Sequence, residues 1–240
     1  MCLSQCRQIG CPLVLELHGL TASKEWWWQD QDHLVTRGLL ASGIAVLALD
    51  APHQGERTYS NDYRLPLGIL SEGPSRRWGR MLVDGVVEYR VAIDCLATRA
   101  EVDTSRLGVI GCSMGGVQTF MLTAADPRIK AAVACVPVAT GYTFGRLFDK
   151  NLTTAQYRAG AALTAARVGL STQQFARGIG TRPFLMLVGR KDVLYAPEEA
   201  QQLFDLIPSP TKELQFYDSG HMLPPGYAER AAAWFVTHLK

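Results

Sequence analysis

The sequence predicts an α/β fold, a mostly parallel sheet flanked by helices, and three observations carry the prediction. Short apolar runs bounded by turn residues recur at 12–17, 44–49, 106–110, 131–136, 184–188 and 213–217. Such continuous apolarity suits strands buried on both faces. Amphipathic or apolar stretches of helical length fall between them, at 34–41, 81–98 and 117–125, and one closes the chain at 226–239, as parallel strands need crossovers. Finally, Gly111-Cys112-Ser113-Met114-Gly115 joins one such strand to one such helix. At 240 residues and 48% hydrophobic content, the chain is long enough for one domain over 1–240 with a sizeable core.

The first run, 12–17, ends at His18-Gly19-Leu20-Thr21. A strand-ending His-Gly ahead of a serine elbow supplies a backbone N–H to a tetrahedral intermediate, together with the N–H that follows the serine. Leu20 and Met114 are the expected donors. His18 is expected to orient this loop, and His18 and Gly19 to lie beside the substrate. Ser23 reads as a helix N-cap before Lys24-Glu25 and Trp26-Trp27-Trp28. Helix neighbours point about 100° apart, so at least one of the three indoles is half-exposed. Either one of them, with Trp26 the candidate, walls the acyl or alcohol pocket, or all serve core packing.

Residues 34–41 continue as helix, Gly43 stops it, and 44–49 form the second strand. The turn-rich segment Asp50-Ala51-Pro52-His53-Gln54-Gly55-Glu56-Arg57 then emerges at the same sheet edge as the His-Gly loop. His53 and Arg57 either touch a substrate there or pin the loop, the structural role being favoured. Residues 58–79 read as a loop forming one rim of the cleft. The helix 81–98, apolar at 82, 83, 86, 87, 91, 93 and 96, should pack beside the elbow strand.

In a Gly-x-Ser-x-Gly elbow the serine sits at the apex of a strained turn, its hydroxyl raised above the sheet at a helix N-terminus. Side chains at 111 or 115 would collide with the neighbouring strand or helix. The strand before Ser113 and the helix after it are the setting this motif requires. A serine is a poor nucleophile alone and needs a histidine held by a carboxylate. Of the histidines at 18, 33, 53, 221 and 238, only His221 and His238 follow Ser113. His221 lies in a loop just past the 213–217 strand, where the base belongs, whereas His238 sits near the C-terminus on an amphipathic segment. Asp192, in the turn after the 184–188 strand, is the first choice of carboxylate, with Asp218, Glu198 and Glu199 as rivals. Between 139 and 180 the alternation breaks, with helix-prone stretches at 153–168 and 172–179, and this insertion reads as a small helical lid or cap.

A net charge of +2 with interspersed signs offers no basic stripe for nucleic acid. No apolar run approaches the roughly 18 residues of a membrane span, and the first residues lack an apolar signal core, so a soluble cytoplasmic protein is expected. The six cysteines, at 2, 6, 11, 95, 112 and 135, form no metal-ligand spacing and no metal site is expected. Cys95, Cys112 and Cys135 read as small buried residues, and Cys2, Cys6 and Cys11 as exposed thiols without chemistry.

The strings His18-Gly19-Leu20-Thr21, Asp50 to Arg57, Gly111-Cys112-Ser113-Met114-Gly115-Gly116, Asp192 and Gly220-His221 together resemble the α/β-hydrolase fold, and more narrowly the small dienelactone-hydrolase-like carboxylesterases. The resemblance spans most of the chain. It implies Ser113 as nucleophile, His221 as base and Asp192 as its orienter, hydrolysing small-molecule esters of short to medium acyl chains with no cofactor. The same residues would serve a thioesterase or acyltransferase, and a ligand-binding protein without turnover is the reading from another class. Two departures stand out. Dienelactone hydrolases proper carry cysteine where this chain has Ser113, which favours general ester chemistry. The family also places two strands before the His-Gly strand, where only about ten residues remain, so a sheet trimmed at that edge, or a chain that starts late, is expected. The oligomeric state is left open.

Overall fold

The computed structural model describes residues 9–29, 34–58, 76–137, 153, 156 and 170–240. Its strands are β1 (Cys11–Leu17), β2 (Ala45–Ala48), β3 (Val102–Cys112), β4 (Ile129–Cys135), β5 (Phe184–Gly189) and β6 (Lys212–Tyr217). Its helices are α1 (Trp26–Gln29), α2 (Val35–Ala41), α3 (Arg76–Leu96), α4 (Met114–Ala125), α5 (Thr172–Arg177), α6 (Pro197–Asp205) and α7 (Gly226–Leu239), with one 3-10 turn at Gly55–Arg57.

The strands form one sheet in the order β2-β1-β3-β4-β5-β6, parallel at every pairing. The α/β fold read from the sequence is the fold observed. Successive strand residues point to opposite faces, which divides the core in two. Leu13, Leu15 and Leu17 meet α3, α4, α5 and α6 on one face. Val14, Val46 and Val133 meet α1, α2 and α7 on the other. With both faces covered, β1, β4 and β5 are buried almost without interruption, which is why they read as apolar runs rather than alternating ones.

The connection from β1 runs outward to β2, and the chain then returns to place β3 on the opposite side of β1. This reversal opens a crevice at the C-terminal ends of β1 and β3, the usual ligand position in open parallel sheets. The His-Gly loop leaves β1 there and the serine elbow leaves β3, with Leu17 and Gly111 as register partners.

Several expectations need correction. Helix α3 buries Trp78, Met81, Leu82, Val86, Tyr89, Ile93 and Leu96 but leaves Val83, Val87 and Val91 exposed, because the sheet covers only one stripe of a helix. Cys95 is exposed beside that stripe, Cys112 is half-buried, and only Cys135 of the three is a core residue. Cys11 is buried and disulfide-bonded rather than an exposed thiol. Cys2, Cys6 and His33 lie outside the described residues. So do most of 58–79 and about two thirds of the proposed 139–180 lid. The described end of that stretch belongs to the body of the fold, since Ala176 and Ile179 are fully buried in the α3–α6 core. Helix α6 was not anticipated at all. Its start, Pro197 in the first turn and Glu199 accepting from the Ala196 N–H at 3.2 Å, follows ordinary helix-initiation rules.

Candidate active site

The elbow is built by close packing. Ser113 has φ 56°, a left-handed conformation that costs a non-glycine residue roughly 1–3 kcal/mol. Its surroundings hold it there. The Ser113 N–H donates to the Cys135 carbonyl at 2.9 Å, tying the turn to β4. A methyl group on Gly111 would lie 2.1 Å from the Gly115 carbonyl oxygen, and one on Gly115 would lie 2.1 Å from that of Leu17. Neither backbone can retreat, so both positions require hydrogen. The collision expected from the sequence is thus real, on the helix side for Gly111 and the strand side for Gly115.

The half-buried Ser113 hydroxyl lies 2.9 Å from His221 Nε2. His221 Nδ1 in turn lies 2.8 Å from Asp192 Oδ2. An ionised carboxylate can only accept, so Nδ1 carries the proton and Nε2 is left to accept from the serine. The other Asp192 oxygen, Oδ1, accepts from the Leu194 N–H at 2.8 Å, which fixes the carboxylate while its side chain is wholly buried. Asp192 and His221 meet because the loops after β5 and β6 travel together. The Arg190 and Lys191 N–H groups donate to Tyr217 and Ser219 carbonyls, each at 2.8 Å. The rivals point elsewhere. Asp218 is exposed and paired with Lys191, while Glu198 and Glu199 lie in the first turn of α6. His238 packs edge-on against Trp234, its ring 4.3 Å away, on α7.

Leu20 follows the His18-Gly19 pair that leaves β1, and Met114 directly follows Ser113. The Met114 N–H opens α4, and first-turn N–H groups have no partner within their own helix. Gly19 abuts the nucleophile, for a methyl placed on it would sit 3.6 Å from Ser113 Cβ. The Gly19 carbonyl accepts from His18 Nδ1 at 2.8 Å and from the Ala22 N–H at 3.3 Å. In a planar trans peptide the C=O and the next N–H point in opposite directions. Anchoring the Gly19 carbonyl therefore aims the Leu20 N–H the other way. His18 Nε2 accepts from the Ala51 N–H at 2.9 Å, so both ring nitrogens are occupied by backbone and the buried imidazole orients the loop instead of facing a substrate. Burial pushes its pKa below the ordinary value, consistent with the neutral ring this bonding needs.

A second loop holds the first, and here the sequence reading missed two residues. Gln54, 2% exposed, accepts from the Thr21 N–H at 2.9 Å and so supports Thr21 at φ 70°. Asp50 accepts from the Lys24 N–H and Nζ, both at 2.8 Å, and from the Glu56 N–H. Burial pushes the Asp50 carboxyl up, but its bonds to Lys24 pull it further down, below the usual value. Arg57 donates to the Asp50 carbonyl and to both oxygens of Glu88 on α3, the pinning role favoured for it. The signal for Asp50 was its place at the end of a strand next to the one ending in His18. Nothing local marks Gln54.

Of the three tryptophans, Trp27 is fully buried, while Trp26 and Trp28 are half-buried. Trp26 lines an open depression of roughly 650 Å³ together with Thr21, Ser23, Glu25, Gly55 and Thr58. It lies beside the 18–25 loop, and Ser113 is not among its lining residues. His53, at φ 63°, is half-buried in the facing loop. Among the described residues no cluster of His, Cys, Asp or Glu could hold a metal ion, and no helix is long and apolar enough to cross a membrane.

Comparison with known proteins agrees with this architecture. YitV of Bacillus subtilis (strain 168), an esterase by name, is 26% identical over 255 residues, covering 97% of this chain and 91% of YitV. YtaP of the same organism, a hydrolase by name, is 31% identical over 131 residues, covering 51% of this chain. That match spans only 42% of YtaP, less than half its length. Among solved structures, TT1662 from Thermus thermophilus superposes with a TM-score of 0.70 at 21% identity, covering 95% of this chain and 90% of that one. The Pyrococcus furiosus esterase Pf2001 superposes with a TM-score of 0.67 at 22% identity, covering 96% and 85%. At such identities these likenesses speak to fold alone. The model of the alpha/beta hydrolase family matches residues 14–234, nearly the whole chain, and the protein belongs to that family.

Proposed function

We propose that this protein is a serine hydrolase that cleaves carboxylic esters of short to medium acyl chains through an acyl-enzyme. The observation that carries the reading is the hydrogen-bond chain from Ser113 through His221 to Asp192, at 2.9 and 2.8 Å, on a serine held in a left-handed turn. Ser113 Oγ attacks the ester carbonyl as His221 Nε2 takes its proton. Asp192 keeps the imidazole in the right tautomer and stabilises the imidazolium. The N–H groups of Leu20 and Met114 receive the oxyanion, and His221 then returns the proton to the leaving alcohol. Water repeats the sequence on the acyl-enzyme, so the cycle calls for neither metal nor cofactor. Gly19 lines the reacting centre. The esterase name of YitV, matched over nearly its full length, supports an ester substrate. A cytoplasmic setting is part of the same proposal; the Cys11 disulfide is the feature that cell fractionation would weigh against it.

The test is hydrolysis of p-nitrophenyl acetate, butyrate and octanoate by the wild type and by Ser113→Ala, with intact mass after a fluorophosphonate probe. Turnover that disappears in the variant, and a single adduct on Ser113, is the expected result. A wild type with neither turnover nor adduct would overturn the reading in favour of ligand binding without chemistry.

A further inference from the structure

Two thiols that the proposed cycle does not use sit directly behind the nucleophile. Cys112 ends β3 and Cys135 ends β4, and they are register partners on neighbouring parallel strands. Register partners project to the same face, with strand axes about 4.8 Å apart, inside the Cα separation of about 4.4–6.8 Å that a disulfide spans. Both thiols are free. They differ in access. Cys112 is half-buried at the elbow, whereas Cys135 is fully buried. The pair is also wired to the serine twice, since Cys112 precedes it in the chain and the Cys135 carbonyl accepts its N–H at 2.9 Å.

We propose that Cys112 and Cys135 form a site of reversible oxidation, taking hydroperoxides as its reagent class, whose disulfide displaces the serine elbow. In the first step the reachable Cys112 sulfur attacks hydrogen peroxide, the O–O bond breaks, and Cys112 becomes a sulfenic acid as one water leaves. In the second, the Cys135 sulfur attacks the Cys112 sulfur, the S–O bond breaks, and its hydroxyl departs as water with the Cys135 proton. The balance is two thiols and one peroxide giving one disulfide and two waters, the thiols losing two electrons. Burial pushes the Cys135 thiol up in pKa, so Cys112 is the sulfur that meets the oxidant and Cys135 the one that resolves it. Bonded sulfurs lie about 2.05 Å apart, well inside the contact distance of two thiols. A disulfide most often spans a Cα separation of about 5.5–6 Å, wider than the roughly 4.8 Å between neighbouring strands, so forming the bond pushes the ends of β3 and β4 apart beneath Ser113. An error of about 1 Å in a reacting group can lower turnover on the order of 100-fold.

The experiment treats the protein with hydrogen peroxide, then follows tryptic mass mapping and ester turnover before and after dithiothreitol. Cleavage after Arg106, Arg128, Lys130 and Arg146 places the two cysteines on separate peptides, 107–128 and 131–146. The expected product is a linked pair of these peptides, 2 Da lighter than the separate thiols, with kcat down about 10- to 100-fold and restored by reductant. Cys135→Ala should give no linked pair and should recover its turnover after the same treatment and reductant. Absence of the linked pair from the wild type overturns the site, and a linked pair with unchanged kcat overturns its coupling to the elbow. The effect on turnover rests on the serine-hydrolase reading, but the mapping does not. A protein inactive from the outset that still forms the linked pair sinks that reading and leaves the site standing.

Discussion

Asp192 shows how much a single carboxylate can settle. It is buried, bonded through one oxygen to the Leu194 N–H and through the other to His221, so its position and its charge both act on the imidazole. Asp192→Asn keeps the shape but offers His221 an amide, which can stabilise the wrong tautomer. A loss of about 10⁴ in kcat is expected, with fluorophosphonate labelling of Ser113 slowed in parallel. Asp218→Asn should stay within about twofold, because that exposed group is held by Lys191 and surface pairs contribute little. Comparable losses in the two variants would reverse the assignment. The distinction was open in the sequence, where Asp218 lies nearer to His221 in chain position, and the crossing of two loops in space resolved it.

At the scale of elements, two loops from adjacent strand ends brace one another. The 18–25 loop carries the proposed oxyanion donor, and the 50–57 loop grips it through Gln54, Asp50 and the Ala51 N–H to His18. Thr21 is β-branched and sits at φ 70°, a conformation it keeps only under constraint. Gln54→Ala removes the acceptor of its N–H at an exposed residue, so the loop loses a restraint and a net contribution of about 0.5–1.5 kcal/mol. Because oxyanion donors act on the transition state more than on bound substrate, kcat should fall about tenfold with KM within about twofold. A rise in KM alone would mean that the loop positions substrate and not the oxyanion. The sequence placed both loops at one sheet edge. It did not show that Gln54 was the residue linking them, for a polar loop residue carries no local mark of what it will touch.

At the scale of the whole molecule, the buried acid Glu16 has consequences for the pH dependence of stability. Glu16, on β1 between the sheet and α2, is 0% exposed, and burial raises its pKa to about 8. The hydrogen count agrees with a neutral carboxyl. Thr36 Oγ1 lies 2.7 Å from the Trp27 carbonyl, which can only accept, and 2.8 Å from Glu16 Oε1. With its single proton given to Trp27, the hydroxyl must accept from a protonated Glu16. The folded pKa exceeds the unfolded one, so the folded state binds more protons between the unfolded value of 4.5 and about 8, and stability falls with rising pH across that window. This contribution is intact below pH 4.5 and lost by about pH 8, on the order of 5 kcal/mol in all. Glu16→Gln, whose amide can still donate to Thr36, should flatten the fall in Tm between pH 5 and 8.5 in a calorimetric series; an unchanged slope would show that Glu16 does not hold its proton.

The sequence by itself determined the layer order, the strands and the elbow, because those follow from period, apolarity and the glycines that a sharp turn demands. It also brought Ser113, Asp192 and His221 forward as candidates, since chain order and strand ends are local properties. Only the tertiary structure decided what depends on neighbours far apart in the chain. It tied Thr21 to Gln54, seated Glu16 under Thr36, set Cys112 against Cys135, and turned Val83, Val87 and Val91 outward. Residue type limits what a side chain can donate, accept or bury. Which partner it meets is fixed when non-adjacent segments pack, and that choice is made by the whole chain at once.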